Sequence, residues 1–135
     1  VADFCKQVAE IEMQLREPIL KVGNLSAKRD FTDVRDVVRA YSLLMQSGEA
    51  GEIYNVGSGE AISIEKILKK ILSYAHTTIA IEVDKNKLRP ADVPIIEADI
   101  KKLQKRTKWE REIDLDQTIK DSLEYWRDVM SVVKS

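Results

Sequence analysis

The chain has 135 residues, with 22 Lys and Arg against 23 Asp and Glu, a formal net charge of −1, and 44% hydrophobic residues. This length suits one globular domain, and the balanced charge argues against a nucleic-acid binder or a polybasic membrane module. Because Cys5 is the only cysteine, neither an internal disulfide nor a multi-cysteine zinc site can form, and a reducing cytoplasm is the expected compartment. No apolar run approaches the roughly 20 residues of a membrane-spanning helix.

Hydrophobic periodicity and turn residues predict a mixed α/β domain with short strands. In chain order, the predicted elements are a helix from Val1 to about Glu17, a strand at 19–22, a charged loop at 26–30, a helix capped by Asp33, a strand at 53–56, a helix capped by Ser63, a strand at 79–83, a short helix capped by Asp99 and a final helix from Leu115 to about Val132. The second helix is expected to bury an apolar face made of Val34, Val37, Val38, Tyr41, Leu44 and Met45.

The turn Gly57-Ser58-Gly59 stands between a predicted strand and a predicted helix, which is the context of a phosphate-binding turn. A dinucleotide fingerprint also needs a third glycine where the helix opens and an acidic residue at the end of a second strand. Here Ile62-Ser63-Ile64 occupies the helix start. The pattern therefore favours a tight strand-to-helix connection over a phosphate site.

Side chains that often carry chemistry are scarce. His76 is the only histidine, which excludes a histidine triad or a histidine-rich metal site, and its place at a predicted helix end favours a surface position. Cys5 lies on the apolar face of the first helix and is interpreted as a small buried hydrophobe. Periodicity alone thus indicates no catalytic residue and no metal ligand.

Four segments together resemble one family. Residues 21–37, Lys-Val-Gly-Asn-Leu-Ser-Ala-Lys-Arg-Asp-Phe-Thr-Asp-Val-Arg-Asp-Val, resemble a segment of the extended short-chain dehydrogenases/reductases (the NAD-dependent epimerase/dehydratase family) that act on GDP-sugars. Residues 54–59, 88–94 and 107–109 agree with that family in the same order. The resemblance covers essentially the whole chain, and it includes the GDP-mannose 4,6-dehydratases and, more closely, the GDP-4-keto-6-deoxymannose reductases.

The resemblance implies a sugar-nucleotide site. Arg29 and Arg89 would bind the diphosphate, because a guanidinium group offers paired donors to phosphate oxygens and stays charged when dehydrated. Asp92 would accept hydrogen bonds from the ribose hydroxyls. Without the resemblance, Arg29 and Asp30 suggest only a local ion pair, and Arg89 an exposed loop charge. The strand end expected to run beside the base, with its glycine permitting close approach, consists of Lys21, Val22, Gly23 and Asn24.

The resemblance covers only the substrate-binding part of such enzymes. Family members also carry a glycine-rich NAD(P) fingerprint and a Tyr-x-x-x-Lys pair. None of Tyr41, Tyr54, Tyr74 and Tyr125 is followed by Lys at that spacing. We therefore expect the chain to be a C-terminal fragment of an NAD(P)-dependent enzyme, inactive by itself, whose Rossmann domain, absent here, binds NAD(P). The complete enzyme is expected to be a homodimer.

Departures from the family pattern favour the reductases. Dehydratases usually have Trp-Gly where this chain has Phe31-Thr32, and they often place a basic residue at the position of Phe4. The pair Val93-Pro94 also looks more like the reductases. The sequence leaves two alternatives open: a stand-alone, non-catalytic module that binds a sugar nucleotide, and a helical interaction domain without a ligand.

Overall fold

The computed structural model describes residues 1–88 and 93–134, which form an α/β fold of five helices, five short strands and one 3-10 turn. The elements are α1 (Ala2–Glu12), β1 (Ile19–Val22), β2 (Lys28–Asp30), α2 (Val34–Ser47), β3 (Ala61–Ser63), α3 (Ile64–Ser73), β4 (Ala80–Val83), the 3-10 turn (Lys85–Lys87), β5 (Ile95–Ile96), α4 (Lys101–Thr107) and α5 (Leu115–Lys134). The expected mixed α/β class is confirmed. No helix in the described ranges is long and apolar enough to cross a membrane.

The strands form two small sheets. In the first, β1 pairs in parallel with β4, and Ile19 lies opposite Ala80. In the second, β2 is central: it pairs antiparallel with β3 and parallel with β5. Because β2 joins two other strands, residues 28–30 are a strand and not the charged loop that their polarity suggested. Pairing with β3 and β5 here outweighs the low strand propensity of Lys28 and Asp30.

The main core is built around β1. Leu20 and Val22 point from the strand into an apolar cluster that α1, α3 and α5 enclose. The other fully buried members of this main core are Cys5, Val8, Ile67, Leu68, Ile71, Ile119 and Leu123. The buried position expected for Cys5 is confirmed, and burial raises the pKa of its thiol to about 11.

Helix α1 ends at Glu12, five residues earlier than its apolar spacing predicted. Gln14 adopts a left-handed backbone conformation with φ of 58°, which turns the chain toward β1 before Pro18 is reached. The Glu12 carboxylate accepts hydrogen bonds from the Arg127 guanidinium of α5 at 2.7 and 2.9 Å. This paired ion contact fixes the end of α1 against α5.

A second, smaller cluster lies between α2 and α4. Ala40, Leu103 and Trp109 are buried there, with Val56 packed against them. The face predicted for α2 is correct only in part: Leu44 packs against this cluster and Val37 is half-buried. The other four residues expected in the core, Val34, Val38, Tyr41 and Met45, are exposed.

The sequence also predicted a strand at 53–56, and this prediction is wrong for the described chain. Within residues 1–88 and 93–134, this segment pairs with no strand.

Candidate functional site

The carboxyl ends of β1 and β4 lie at the same edge of their sheet because the two strands are parallel. Gly23 and Asn24 follow β1, while Asp84 and the Lys85–Lys87 turn follow β4. The Asp84 N–H donates to the Val22 carbonyl at 2.8 Å, which holds the two ends together. In open α/β sheets, this is the edge at which ligands bind.

Gly23 allows two backbones to approach closely at this edge. A β-carbon on Gly23 would lie 2.6 Å from the Lys87 carbonyl oxygen, much closer than such atoms can come. Glycine is therefore required by the neighbouring 3-10 turn, whereas the resemblance had implied close approach of a base. The turn that Gly23 admits is the one that leads into residues 89–92.

The other residues of the strand end serve mainly to fix the backbone. The Lys21 N–H donates to Gln7 Oε1 at 3.1 Å, and the Lys21 carbonyl accepts from Gln7 Nε2 at 3.3 Å. Val22 is fully buried in the main core, so its side chain points away from any ligand at this edge. Asn24 Oδ1 accepts from the Ser26 N–H at 3.0 Å and from its hydroxyl at 2.7 Å.

Arg29 lies on β2 and contacts the chain that follows residues 89–92. Its Nη1 donates to the Val93 carbonyl at 2.7 Å and to the Lys28 carbonyl at 2.7 Å. The Lys28 N–H also donates to the Pro94 carbonyl at 2.8 Å. Arg29 thus fixes the backbone at residues 28 and 93, and its guanidinium group also contributes a positive charge.

The remaining two predicted site residues, Arg89 and Asp92, lie outside the described residues. The described residues on either side of them contact residues of the predicted site. Before residues 89–92, Lys87 packs against Gly23; after them, Val93 accepts a hydrogen bond from Arg29. The fold therefore brings Gly23 and Arg29, which are separate in sequence from this segment, to its two ends.

This edge of the molecule is rich in cationic side chains. Lys87 Nζ lies 3.5 Å from Asp3 Oδ2 and donates to the Lys21 carbonyl at 3.3 Å. Lys21, Lys85 and Lys87 are all exposed at this edge, while Lys28, exposed, and Arg29, half-buried, lie on β2 of the second sheet. Such a concentration of positive charge attracts an anionic ligand.

The turn Gly57-Ser58-Gly59 is occupied by the protein's own carboxylate. Asp30 accepts hydrogen bonds from the Ser58 N–H and hydroxyl, both at 2.7 Å, from the Gly59 N–H at 3.0 Å and from the Ala98 N–H at 3.2 Å. Burial alone would raise the pKa of Asp30, but these hydrogen bonds outweigh it and hold the pKa below its usual range. Asp30 thus uses the Ser58 and Gly59 donors of the turn. The turn leads from an irregular segment into β3, and not from a strand into a helix as predicted.

Asp36 is a second carboxylate that sequence reasoning missed. It is buried on α2 and accepts from Arg39 Nη2 at 2.8 Å and from the Ile113 N–H at 2.9 Å. Its backbone carbonyl accepts from Trp109 Nε1 at 3.0 Å. Apart from Arg39, its partners lie more than 70 residues away, so no local signal could have revealed its burial. Asp36 fixes the chain before α5 and plays no part at the cationic edge.

His76 has its side chain 72% exposed, and its Nδ1 lies 3.9 Å from Glu12 Oε2. This is the surface position that the sequence predicted. Among residues 1–88 and 93–134, no three His, Cys, Asp or Glu side chains are grouped so that they could hold a metal ion.

Comparisons with known proteins agree with this architecture. The family described as GDP-mannose 4,6 dehydratase matches residues 2–122. A GDP-6-deoxy-D-mannose reductase from Pseudomonas aeruginosa is 32% identical over 126 residues, covering 93% of this chain and 41% of the reductase. A GDP-mannose 4,6 dehydratase from Cricetulus griseus is 25% identical over 138 residues, covering 88% of this chain and 37% of the dehydratase.

A solved structure described as RMD from P. aeruginosa complexed with NADPH superposes with a TM-score of 0.88 at 31% identity, covering 95% of this chain and 42% of that one. The chain thus spans about two fifths of the length of these relatives. The match over residues 2–122 and the shared fold agree with the resemblance carried by the four sequence segments. The chain belongs to the GDP-mannose 4,6-dehydratase family, within the extended short-chain dehydrogenases/reductases.

Proposed function

We propose that residues 1–135 form the GDP-sugar-binding domain of an NAD(P)-dependent reductase or dehydratase of nucleotide sugars. The observation that carries this proposal is the anchoring of the segment with Arg89 and Asp92. Gly23 admits the turn before it, and Arg29 binds the chain after it. Gly23 lies at the cationic edge formed by the parallel strands β1 and β4, and Arg29 lies on β2 of the second sheet.

The chemistry of this edge suits a nucleoside diphosphate. Arg29 and Arg89 provide guanidinium groups for the phosphate oxygens, with the surrounding lysines adding favourable charge. Asp92 accepts hydrogen bonds from the ribose diol, and the backbone of residues 23–24 lies beside the base. Specificity for guanine is part of this proposal and is supported by the names of the family and of the relatives that match most of the chain.

We propose that this chain holds no site for the dinucleotide. In the turn Gly57-Ser58-Gly59, the N–H groups of Ser58 and Gly59 donate to Asp30 and are not available to a phosphate. Hydride transfer needs a nicotinamide site, and proton transfer needs a positioned acid or base. We assign both to the part of the family fold outside this chain, with NAD(P) as the cofactor there.

Within the family, we propose a role in a reductase. Phe31-Thr32 and Val93-Pro94 favour that branch, and the P. aeruginosa relative with 32% identity is named as a reductase.

Calorimetric titration of the 135-residue chain with GDP and, separately, with UDP tests the site. We expect GDP to bind more tightly. Arg29→Ala and Arg89→Ala each remove a charge-assisted contact of about 1.5–3 kcal/mol, which corresponds to a roughly tenfold to hundredfold loss of affinity. Asp92→Asn should lose less, because an amide oxygen still accepts one hydroxyl hydrogen bond.

Lys105→Ala is the matched control for charge, since Lys105 is exposed on α4 and contributes nothing to the proposed site. Its affinity for GDP should equal that of the unchanged chain. If the folded chain bound no GDP, or if both arginine variants bound it as tightly as the unchanged chain, the assignment would be wrong.

A further inference from the structure

Four polar groups form a closed ring where α1, the end of β1 and the 3-10 turn meet. Gln7 Nε2 donates to Asp3 Oδ2 at 2.9 Å and to the Lys21 carbonyl at 3.3 Å. Lys87 Nζ donates to the same carbonyl at 3.3 Å and lies 3.5 Å from the same Asp3 oxygen. Each of the two donors thus serves both acceptors, and we call these four groups the polar ring.

Gln7 takes the place of a strand beside β1. Within residues 1–88 and 93–134, β1 pairs with β4 alone, so its other edge has no strand partner. At that edge the Lys21 N–H donates to Gln7 Oε1 at 3.1 Å, and the Lys21 carbonyl accepts from Gln7 Nε2. A primary amide offers the same kinds of donor and acceptor as a peptide group. Gln7 therefore fixes the backbone of β1 two residues before Gly23.

The burial of Gln7 makes these hydrogen bonds necessary. Gln7 is only 4% exposed, and Cys5 and Val8 of the same helix belong to the main core. A buried amide is unfavourable unless its polar atoms have partners. An apolar side chain of similar size, such as methionine, would suit this buried position without needing any partner. What glutamine adds at this position is therefore the polar ring.

We propose that Gln7 and Lys87 are positioning residues of the nucleotide site and act through the polar ring. The ring joins α1 to the two backbones that meet at Gly23, which are the end of β1 and the 3-10 turn. It sets their separation before a nucleotide binds, and a preorganised site binds more tightly because less order is lost on binding. This inference rests on the proposed GDP-sugar site.

A double-variant cycle in the 135-residue chain tests the polar ring, with GDP affinity measured by calorimetric titration. Gln7→Met changes no charge and removes every hydrogen bond of the Gln7 side chain, and Lys87→Met removes the second donor. We expect each variant to bind GDP about tenfold more weakly. The double variant should lose about as much as either alone, because either change opens the same ring.

Asp3→Ala separates positioning from charge. Removal of this carboxylate from beside Lys87 makes the edge more positive, which by charge alone would strengthen the binding of an anion. Because the change also opens the polar ring, we expect GDP to bind about threefold more weakly instead. The Asp3 side chain is 66% exposed, so this variant keeps the core intact and tests the ring even where Gln7→Met does not fold.

Two further variants are matched controls. Lys85→Met removes a charge from the same 3-10 turn but lies outside the polar ring, and it should weaken GDP binding only about twofold. Gln104→Met makes the same substitution as Gln7→Met at a half-buried position on α4 and should leave GDP affinity unchanged. Urea unfolding establishes that each variant is folded during the titration.

Two results would overturn the inference. The first is GDP binding by folded Gln7→Met and Asp3→Ala as tight as that of the unchanged chain. The second is full additivity of the losses in Gln7→Met and Lys87→Met, which would make Lys87 a direct ligand of the phosphates. In both cases, binding by the unchanged chain and its loss in Arg29→Ala would leave the proposed site standing. If the unchanged chain bound no GDP, the proposed function would be wrong, and this inference with it.

Discussion

Asp30, Asp33 and Asp36 lie within seven residues of one another, and each holds a different part of the chain. Asp30 holds the turn between Gly57 and Gly59. Asp33 caps α2 through the Arg35 N–H at 2.9 Å and accepts from the Thr118 hydroxyl of α5 at 2.8 Å. Asp36 holds the backbone before α5. These three short side chains connect α2 and β2 to segments that are distant in sequence.

Asp36→Asn should destabilise the chain by about 3 kcal/mol. The amide nitrogen that replaces one carboxylate oxygen cannot accept from Arg39 or from the N–H groups of residues 112 and 113, so buried donors lose their partner. Urea unfolding followed by tryptophan fluorescence measures the change. Asp128→Asn, at an exposed position on α5, is the control and should change the free energy of unfolding by less than about 0.5 kcal/mol. An equal effect of both variants would contradict the role of Asp36.

Lys108→Gly should stabilise the chain by about 1 kcal/mol. Lys108 ends α4 with φ of 56°, a left-handed conformation that costs a residue with a β-carbon roughly 1–2 kcal/mol. Glycine at this position meets no such cost. Thermal unfolding measures the gain. Lys105→Gly, inside α4, should lower stability instead, because glycine weakens a helix interior.

At the scale of elements, the approach of the 3-10 turn to β1 depends on Gly23. Gly23→Ala should force the Lys87 backbone away, because the added methyl group would lie 2.6 Å from its carbonyl oxygen. We expect a loss of about 1–3 kcal/mol in stability and weaker GDP binding, since the turn leads into the segment with Arg89. Lys105→Ala, at an exposed position on α4 outside the proposed site, serves as the control. Unchanged GDP affinity in folded Gly23→Ala would separate the turn from the site.

Helices and strands were predictable where local signals agreed with tertiary packing. β1 begins and ends where it was predicted, and Asp33 and Ser63 cap α2 and α3 as expected. The predictions that failed concern segments whose structure depends on a partner distant in the sequence. Arg127 fixes the end of α1, and strands from two other parts of the chain make residues 28–30 a strand. Neither partner is visible in a local window of sequence.

At the scale of the molecule, α2 shows why a core cannot be read from periodicity alone. Its sequence contains two apolar faces, and the chain buries the one that meets α4. The candidate site could not be predicted in full from the sequence either. Family resemblance selected its residues, but only the fold showed that Gly23 contacts Lys87 and that Arg29 contacts Val93. The fold also showed that Asp30 binds the turn Gly57-Ser58-Gly59.

The three aspartates also predict acid sensitivity of the whole fold. The pKa of each is lower in the folded chain than its ordinary value of about 4. Their stabilising contribution is therefore complete above about pH 5 and is lost as the pH falls through 4 toward the folded pKa values. Urea unfolding at pH 7, 5, 4 and 3 should show constant stability followed by a steep decline. Asp30→Asn should flatten that decline, and a constant stability down to pH 3 would contradict it.

Because Cys5 is buried, the rate at which its thiol is chemically labelled reports how often the surrounding core opens. With its side chain inaccessible and its thiol pKa near 11, almost none of it is the reactive thiolate at neutral pH. A disulfide reagent can therefore modify it only while α1 is detached from α3, α5 and β1. Under conditions where reclosing is fast, the labelling rate measures the free energy of that opening. The only thiol of the chain thus allows the free energy of helix detachment to be measured without introducing a probe.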